Sequence, residues 1–503
     1  MRKSGILMHI TSLPGPYGVG TMGKSAYQFL DFLKQAKQQC WQMLPLTPTG
    51  YGDSPYQSCS AYAGNPYLID LDMLVRKKLL KKEELTSIDW GDSELRVDFG
   101  KLYNNRSKVL KLAFSRFNNQ RALNAFIKKN NAWLPDYALY MALKESHGFK
   151  PWFAWEDELK FRHSDALEKA AVELADSIRF YSFVQYLFYQ QWTALRARAT
   201  ELGIELIGDV PIYVPYDSVE VWKNPELFQL DAELRPTAVA GCPPDAFTAD
   251  GQLWGNPLYR WDVMDQTGYK WWLDRLGAAG KLFDVVRLDH FRGFEAYWAV
   301  PYGDKNARGG KWIPGPGMNF VNALKTGLPE LSFIAEDLGF LTEGVMKLRD
   351  DSGYPGMKVL EFAFDTKEPS DYQPHTYTRN TVCYTGTHDN MTMRQWFETA
   401  SDEARKVAVD YMALTQKEGY VWGVIRTAMS SVSDRAIVQM QDYLNLGAEA
   451  RMNFPGTTGA NWTWRARKGF AGKALAAKIA ELTCRYDRAP AAEKQRHSNL
   501  IKK

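Results

Sequence analysis

Acidic side chains at the ends of apolar runs give this chain its clearest chemical signal. The run Phe283-Asp-Val-Val-Arg-Leu-Asp-His-Phe-Arg-Gly293 carries Arg287, Asp289 and His290 near its carboxyl end. In a strand, side chains repeat every two residues, so Arg287 and Asp289 share one face and His290 points away from it. A guanidinium beside a carboxylate keeps that carboxylate ionised at neutral pH, as a nucleophile requires.

Two further runs end in the same way. Glu336 closes Ser332-Phe-Ile-Ala-Glu336, and Asp389 follows Val382-Cys-Tyr-Thr-Gly-Thr-His388, while a fourth carboxyl, Asp209, lies inside the apolar stretch 205–213. Taken singly, each of these residues is better explained as a turn residue or a helix N-cap, so the prediction depends on their combination. In a (β/α) barrel, however, catalytic groups collect at the carboxyl ends of strands. Several carboxyl groups meeting at one mouth indicate glycoside chemistry.

The surroundings of each carboxyl group suggest different protonation states. Retaining glycoside cleavage needs two carboxyl groups about 5 Å apart, one ionised and one protonated. Asp289, beside Arg287, suits the ionised nucleophile. Glu336 has apolar sequence neighbours; if they also surround it in space, they raise its pKa and favour a general acid. Asp337 points to the other face and is expected to make a structural hydrogen bond, and His388 either donates to a sugar hydroxyl or is a buried structural histidine.

The elements that must hold these groups follow a repeating strand and helix pattern. Short apolar runs alternate with helical patterns, which is typical of βα units. We predict strands at 5–12, 40–46, 205–214, 283–290, 332–336, 357–364, 381–386 and 436–443. Eight such strands predict an α/β fold of the (β/α)8 TIM-barrel type, with helical and loop-rich insertions between strands.

The uneven spacing of the strands locates the insertions. We assign residues 1–70 and 190–503 to a catalytic barrel and residues 71–189 to a mainly helical insertion between the second and third strands. Residues 215–269 form an insertion after the third strand, which we expect to carry an active-site loop. Long loops are usually functional or disordered, and the aromatic content of this one argues against disorder.

Composition excludes several classes of partner. The net charge of +4 over 503 residues is too small to indicate a nucleic-acid or membrane partner. Five cysteines without CxxC spacing argue against a disulfide framework or a zinc site. We find no metal-ligand spacing and predict no cofactor. Because no run resembles a signal peptide or a transmembrane helix, we expect a soluble cytoplasmic protein.

A series of motifs runs nearly end to end along the chain. They occupy residues 5–14, 50–57, 64–70, 208–213, 243–247, 251–257, 287–293, 335–339, 387–390 and 453–457, the last continuing through Asn461 and Trp462. In this order they resemble the motifs of the 4-α-glucanotransferases (amylomaltases) of glycoside hydrolase family 77, in the clan of the α-amylases. The order is specific, whereas any one motif is weak evidence.

The resemblance implies roles for individual residues. Asp289 is the implied nucleophile, Glu336 the general acid/base and Asp389 the transition-state stabiliser, with Arg287 orienting and ionising Asp289. Contacts with the substrate are implied for His388, Asp209, Ser54, Tyr56, Trp254, Phe247 and Asn461, and a secondary glucan contact is implied for Tyr51. The alternative is a packed aromatic residue for Tyr51, Tyr56 and Trp254, and an ordinary turn residue for Ser54.

The implied activity is transfer of an α-1,4-glucan segment to the 4-hydroxyl of a second glucan or of glucose by a retaining double displacement. Maltodextrins or chains of starch or glycogen would serve as donor and acceptor. The loops at 240–257 and 453–462 would shield the intermediate from water, although Ala246, beside Phe247, stands where some relatives have a second aromatic. The alternatives are an α-glucan hydrolase of the same clan and a non-catalytic glucan-binding protein.

Overall fold

A computed structural model describes residues 2–244, 249–339, 341–364 and 370–491. The strands are β1 (Lys3–Leu7), β2 (Cys40–Gln42), β3 (Glu205–Val210), β4 (Ala238–Cys242), β5 (Gln252–Pro257), β6 (Val285–Leu288), β7 (Ala296–Pro301), β8 (Lys311–Pro314), β9 (Ser332–Ala335), β10 (Gly356–Val359), β11 (Thr381–Tyr384) and β12 (Arg435–Gln439).

The helices of the first half are α1 (Lys24–Gln35), α2 (Leu71–Arg76), α3 (Lys82–Thr86), α4 (Phe99–Ser115), α5 (Gln120–Lys129), α6 (Leu134–Ser146), α7 (Asp157–Lys160), α8 (Ser164–Glu173) and α9 (Ala175–Leu202). Those of the second half are α10 (Val219–Lys223), α11 (Trp261–Gln266), α12 (Lys270–Leu282), α13 (Gly317–Gly327), α14 (Glu343–Ser352), α15 (Met393–Thr399), α16 (Asp402–Tyr411), α17 (Tyr420–Ser430), α18 (Met440–Tyr443) and α19 (Lys473–Arg485).

Eight parallel strands close into a barrel in the order β1-β2-β3-β6-β9-β10-β11-β12. The expected (β/α)8 barrel is confirmed. Its strands are buried along nearly their whole length, as in β6, where all four residues are buried, because helices cover the outside of a parallel sheet. All eight strands therefore present their carboxyl ends at one rim.

The predicted strands extend too far at their carboxyl ends. The run 5–12 ends as a strand at Leu7 and continues into a 3-10 turn, and the run 357–364 does the same after Val359. The apolar residues beyond the strand ends pack in the core at the rim of the barrel, as Ile10 and Leu360 do, each fully buried. Burial alone does not separate a strand from a packed turn.

A second, antiparallel sheet in the order β5-β4-β7-β8 stands beside the barrel. No strand is predicted from the sequence at 238–257 or at 296–314, the two regions that form it. The two strands within 215–269, β4 and β5, contain glycine, alanine and proline, which are poor strand formers. Their conformation comes from pairing: β4 pairs with β7, where Val239 lies opposite Val300 and Gly241 opposite Trp298, and β5 pairs with the other edge of β4.

The segment between β2 and β3 is dominated by helices α2 to α9, and α9 runs through residue 190, where the sequence analysis places the return to the barrel. Two buried glutamines of α9 bind the backbone of the chain that leaves β2. Gln185 accepts from the Gly64 N–H (2.7 Å) and donates to the Gly64 carbonyl (3.0 Å). Gln191 makes the same pair of bonds to Asp70, at 2.7 and 3.1 Å. Each side chain thus satisfies two buried backbone groups.

The barrel is closed by pairing of the first strand with the last. Lys3 lies opposite Arg435, and the register continues to Leu7 opposite Gln439. The fully buried Arg488 fastens this seam. Its guanidinium donates to the carbonyls of Lys3 (2.8 Å), Met429 (2.8 Å), Ser431 (2.9 Å) and Ser433 (2.9 Å). Among the described residues, no helix has the length and apolar content needed to span a membrane.

Candidate active site

Arg287 is the centre of the charged cluster at the carboxyl ends of β3 and β6. It lies opposite Asp209 in the parallel register of these strands. Its Nη1 donates to both oxygens of Asp209 (2.9 and 2.7 Å) and to Oδ1 of Asp289 (2.8 Å). Burial opposes the charge of Arg287, but the two carboxylates hold its pKa well above the ordinary value. One side of Asp289 is therefore bound to a permanent cation while its side chain stays 26% exposed.

Glu336 directly follows β9, the strand next to β6. Its Oε2 accepts from the His290 N–H (2.7 Å) and its Oε1 from the Leu338 N–H (2.9 Å). Burial raises the pKa of Glu336 to about 7; Arg287 opposes this rise and Asp289 adds to it. A carboxyl group with this pKa can donate a proton at neutral pH and take it back later. The pKa rise expected from the apolar surroundings is present.

His290 links the two carboxyl groups through its backbone. It has φ 51° and ψ 51°, a left-handed conformation that is uncommon outside glycine. Its N–H donates to Glu336, and it follows Asp289 directly in the chain. Burial lowers the pKa of the His290 ring to about 4, so the ring is neutral at physiological pH. Strain of this kind persists where the surrounding structure fixes it, often at functional sites.

Asp389 stands in the loop after β11. Its carboxylate lies 3.4 Å from His388 Nε2 and accepts from the side-chain amide of Asn453 (2.6 Å). Burial alone would raise its pKa, but His388 and these hydrogen bonds hold the pKa of Asp389 well below its usual range. Arg451 donates to the Asp389 carbonyl at 2.9 Å. Asp389 is therefore ionised, with its side chain 45% exposed.

Tyr56 joins the two halves of the cluster. Its hydroxyl donates to Asp209 Oδ2 (2.9 Å), and its ring stacks on His388 with centroids 5.1 Å apart. Trp462 packs against both rings, at 5.8 Å from Tyr56 and 5.9 Å from His388. Ser54 Oγ accepts from the Tyr56 N–H at 3.2 Å and so shapes the turn that presents Tyr56.

The remaining residues singled out in the sequence are less directly placed. Trp254 in β5 packs edge-on against His290, with ring centroids 4.8 Å apart. Asn461 is buried, and its amide is occupied inside its own loop, where it accepts from the Phe454 N–H (3.0 Å) and donates to the Thr457 carbonyl (3.0 Å). Tyr51 begins the 3-10 turn Tyr51–Asp53. Phe247 and Ala246 lie outside the described residues.

Asp337 makes structural hydrogen bonds, as expected. Its carboxylate accepts from the Met357 N–H (2.7 Å) and from Arg349 (2.9 Å), and it is buried. It thereby ties the end of β9 to the start of β10. Asn453, which contacts Asp389, and Trp462, which contacts Tyr56 and His388, have no individual role predicted from the sequence, although both lie in a matched motif.

Together these groups can perform acid/base-assisted displacement at an acetal carbon. The cluster offers a carboxylate paired with a guanidinium (Asp289), a carboxyl group that titrates near neutrality (Glu336) and an ionised carboxylate (Asp389), all on one rim. Within the described ranges, no three His, Cys, Asp or Glu side chains form a group that could hold a metal ion.

Comparison with known proteins supplies the family. The sequence model of the 4-alpha-glucanotransferases, glycoside hydrolase family 77, matches residues 8–470. The chain belongs to the 4-alpha-glucanotransferase family. It is 49% identical over 485 residues to a 4-alpha-glucanotransferase of Clostridium butyricum, covering 96% of this chain and 100% of that protein. One from Streptococcus pneumoniae (strain TIGR4) is 47% identical over 492 residues, covering 97% of each.

The fold of a solved member of this family agrees closely. The amylomaltase from Streptococcus agalactiae, solved in complex with acarbose, superposes with a TM-score of 0.95 at 43% identity. The match covers 97% of this chain and 100% of that one. The expectation of an enzyme of the 4-α-glucanotransferase class acting on α-glucans is confirmed, and the hydrolase alternative is not favoured.

Proposed function

We propose that this chain cleaves an α-1,4-glucan and transfers one segment to the 4-hydroxyl of an acceptor glucan or of glucose. The observation that carries the proposal is the pairing of Asp289, which accepts a hydrogen bond from Arg287 at 2.8 Å, with Glu336, whose pKa is raised to about 7. A nucleophile and a proton donor are thereby available at the same pH. Retaining transfer needs both.

The reaction proceeds by two displacements. Glu336 protonates the glycosidic oxygen while Asp289 attacks the anomeric carbon, which breaks the α-1,4 bond and forms a β-glycosyl ester. Glu336, now a base, removes the proton from the acceptor 4-hydroxyl, whose oxygen displaces Asp289 and restores an α-1,4 bond. Asp389 binds hydroxyls of the distorted ring more tightly in the transition state than in the ground state.

The other residues bind and orient the glucan. His388 and Asp209 contact the ring that Asp289 attacks, and Tyr56 lies between them, consistent with its contacts to both. Ser54, Tyr56 and Trp254 line the donor side, and Phe247 belongs to the loop 240–257 that shields the intermediate. Asn461 orders the loop 453–462 around the intermediate, and Tyr51 contributes a secondary glucan contact. Maltodextrins, starch or glycogen chains are the proposed donors and acceptors.

Other expectations from the sequence stay predictions. They are the division into a barrel (1–70 and 190–503), a helical insertion (71–189) and a loop-bearing insertion (215–269), the cytoplasmic location, and the absence of a cofactor.

Incubation with maltotriose tests the proposal. Transfer yields free glucose and a ladder of longer maltodextrins while the number of reducing ends stays constant. Rising reducing ends with shorter sugars alone would mean hydrolysis and contradict the proposal. Asp289→Asn and Glu336→Gln should each lower the rate on maltotriose at least about 10³-fold while glucan binding stays measurable. Near-normal rates in either variant would overturn the residue assignment.

A further inference from the structure

The loop that carries His388 and Asp389 is fastened at both ends by one buried carboxylate. The loop leaves β11 at Thr385 and enters α15 at Met393. Asp442 in α18 accepts from the Thr385 hydroxyl (2.5 Å) and from the Met393 N–H (2.7 Å). Asp442 and Thr385 are fully buried and Met393 is 1% exposed. The two ends of the loop thus share one acceptor group.

A second buried carboxyl group holds the same loop from the opposite side. Glu361, just after β10, accepts from the Met391 N–H at 3.2 Å, and its own N–H donates to the Thr385 carbonyl at 3.2 Å. Gln439 of β12 donates to the Met391 carbonyl at 3.3 Å. The loop after β11 is therefore held from both neighbouring strands of the barrel. Glu361 follows β10, Gln439 ends β12 and Asp442 follows β12.

These carboxyl groups bind the backbone and the ends of the loop, whereas the carboxylate of Asp389 itself contacts Asn453 and His388. Burying a carboxyl group costs free energy unless its hydrogen bonds compensate. Through these hydrogen bonds, Asp442 and Glu361 fix the distance between the two ends of the loop 385–393. A shift of 1 Å in a catalytic group is enough to lower a rate about 100-fold.

We propose that Asp442 and Glu361 are positioning residues that fix Asp389 against the sugar ring undergoing transfer. The proposal rests on the proposed function, in which Asp389 binds ring hydroxyls in the transition state. Because the two residues act through Asp389, their loss should reduce the rate advantage that the ring hydroxyls bound by Asp389 give to the reaction.

Asp442→Asn tests this with an α-maltosyl fluoride donor and its analogues that lack the 2- or the 3-hydroxyl of the reacting ring. For the full donor, kcat should fall about 10- to 100-fold with KM changed less than about threefold. The factor by which a missing hydroxyl slows the wild type should shrink in the variant. An unchanged factor would mean that the variant only has less active protein, and it would overturn the proposal.

Asp70→Asn is the matched control. Asp70 accepts from a threonine hydroxyl (Thr21, 2.8 Å) and a backbone N–H (Met73, 2.8 Å) in the same way, but it caps α2. This variant should keep the wild-type factor for the missing hydroxyls. If Asp442→Asn does not fold, Glu361→Gln serves for the same measurement.

The failure of the proposed function gives a different result. If the wild type itself is not slowed by a missing 2- or 3-hydroxyl, Asp389 does not act on the ring and both proposals fall. If a missing hydroxyl slows the wild type, Asp442→Asn and Glu361→Gln all by the same factor, only the positioning role is contradicted.

Discussion

At the scale of single residues, the most informative property of the site is the contrast between neighbouring carboxyl groups. Asp289 touches a cation, Asp389 touches a histidine and an amide, and Glu336 accepts two backbone N–H bonds and has its pKa raised by burial. Environment rather than residue type therefore separates acid from nucleophile.

The pH dependence of donor cleavage follows from Glu336. Burial raises its pKa to about 7, so it is protonated below that pH and loses its proton as the pH rises through that value. We expect kcat/KM for maltotriose to fall above about pH 7. A steady-state pH profile measures this.

The matched control changes the leaving group. Fluoride departs without a proton, so with α-maltosyl fluoride the fall in kcat/KM above pH 7 should disappear. If both donors lose activity together, the group that titrates is not the acid that Glu336 is proposed to be.

At the scale of elements, a hydrogen bond joins the loop 453–462 to the loop after β11. Asn453 donates to Asp389 at 2.6 Å. Asn453→Ala should lower kcat/KM about 10- to 100-fold, because a hydrogen bond to a charged group contributes roughly 1.5–3 kcal/mol. Kinetics on maltotriose measures the loss.

Thr457→Val is the control that distinguishes the Asn453–Asp389 hydrogen bond from the internal structure of the loop 453–462. Thr457 donates to the Phe454 carbonyl (2.7 Å) inside the same loop. This variant should cost far less than Asn453→Ala. Equal losses would show that loop order, and not the bond to Asp389, limits the rate.

The barrel strands and the carboxyl groups that follow them can be predicted from the sequence. Parallel strands share a direction, so acidic residues after β6, β9 and β11 have to meet at one rim. The small sheet escapes prediction because β4 acquires its conformation by pairing with β7, which is distant in sequence, and β5 by pairing with β4, rather than from their own residues. The bond between Asn453 and Asp389 joins two loops, and no spacing in the sequence encodes it.

Glu361 and Asp442 mark a different limit. Both follow barrel strands, as Asp289, Glu336 and Asp389 do, so the same sequence signal is present. The sequence does not tell which carboxyl groups face the cleft and which bind the loop beneath it. That distinction depends on the side chain's direction after the strand has ended.

At the scale of the whole molecule, α9 joins the helices between β2 and β3 to the barrel through two amide side chains. Gln191→Leu leaves the N–H and carbonyl of Asp70 buried without partners, so it should lower the free energy of unfolding by about 2–5 kcal/mol. Denaturant unfolding followed by fluorescence measures the change. The exposed neighbour Gln190 is the control, and Gln190→Leu should change it by less than about 0.5 kcal/mol.

The seam between β1 and β12 has a consequence for biosynthesis. Lys3 leaves the ribosome about 430 residues before its partner Arg435. At about 5–20 residues per second, β1 waits roughly 20–90 seconds for the strand that covers its edge. During translation, its apolar residues form an open strand edge of the kind that pairs with other chains. We therefore expect folding to benefit from shielding of this edge of β1 until β12 has been made.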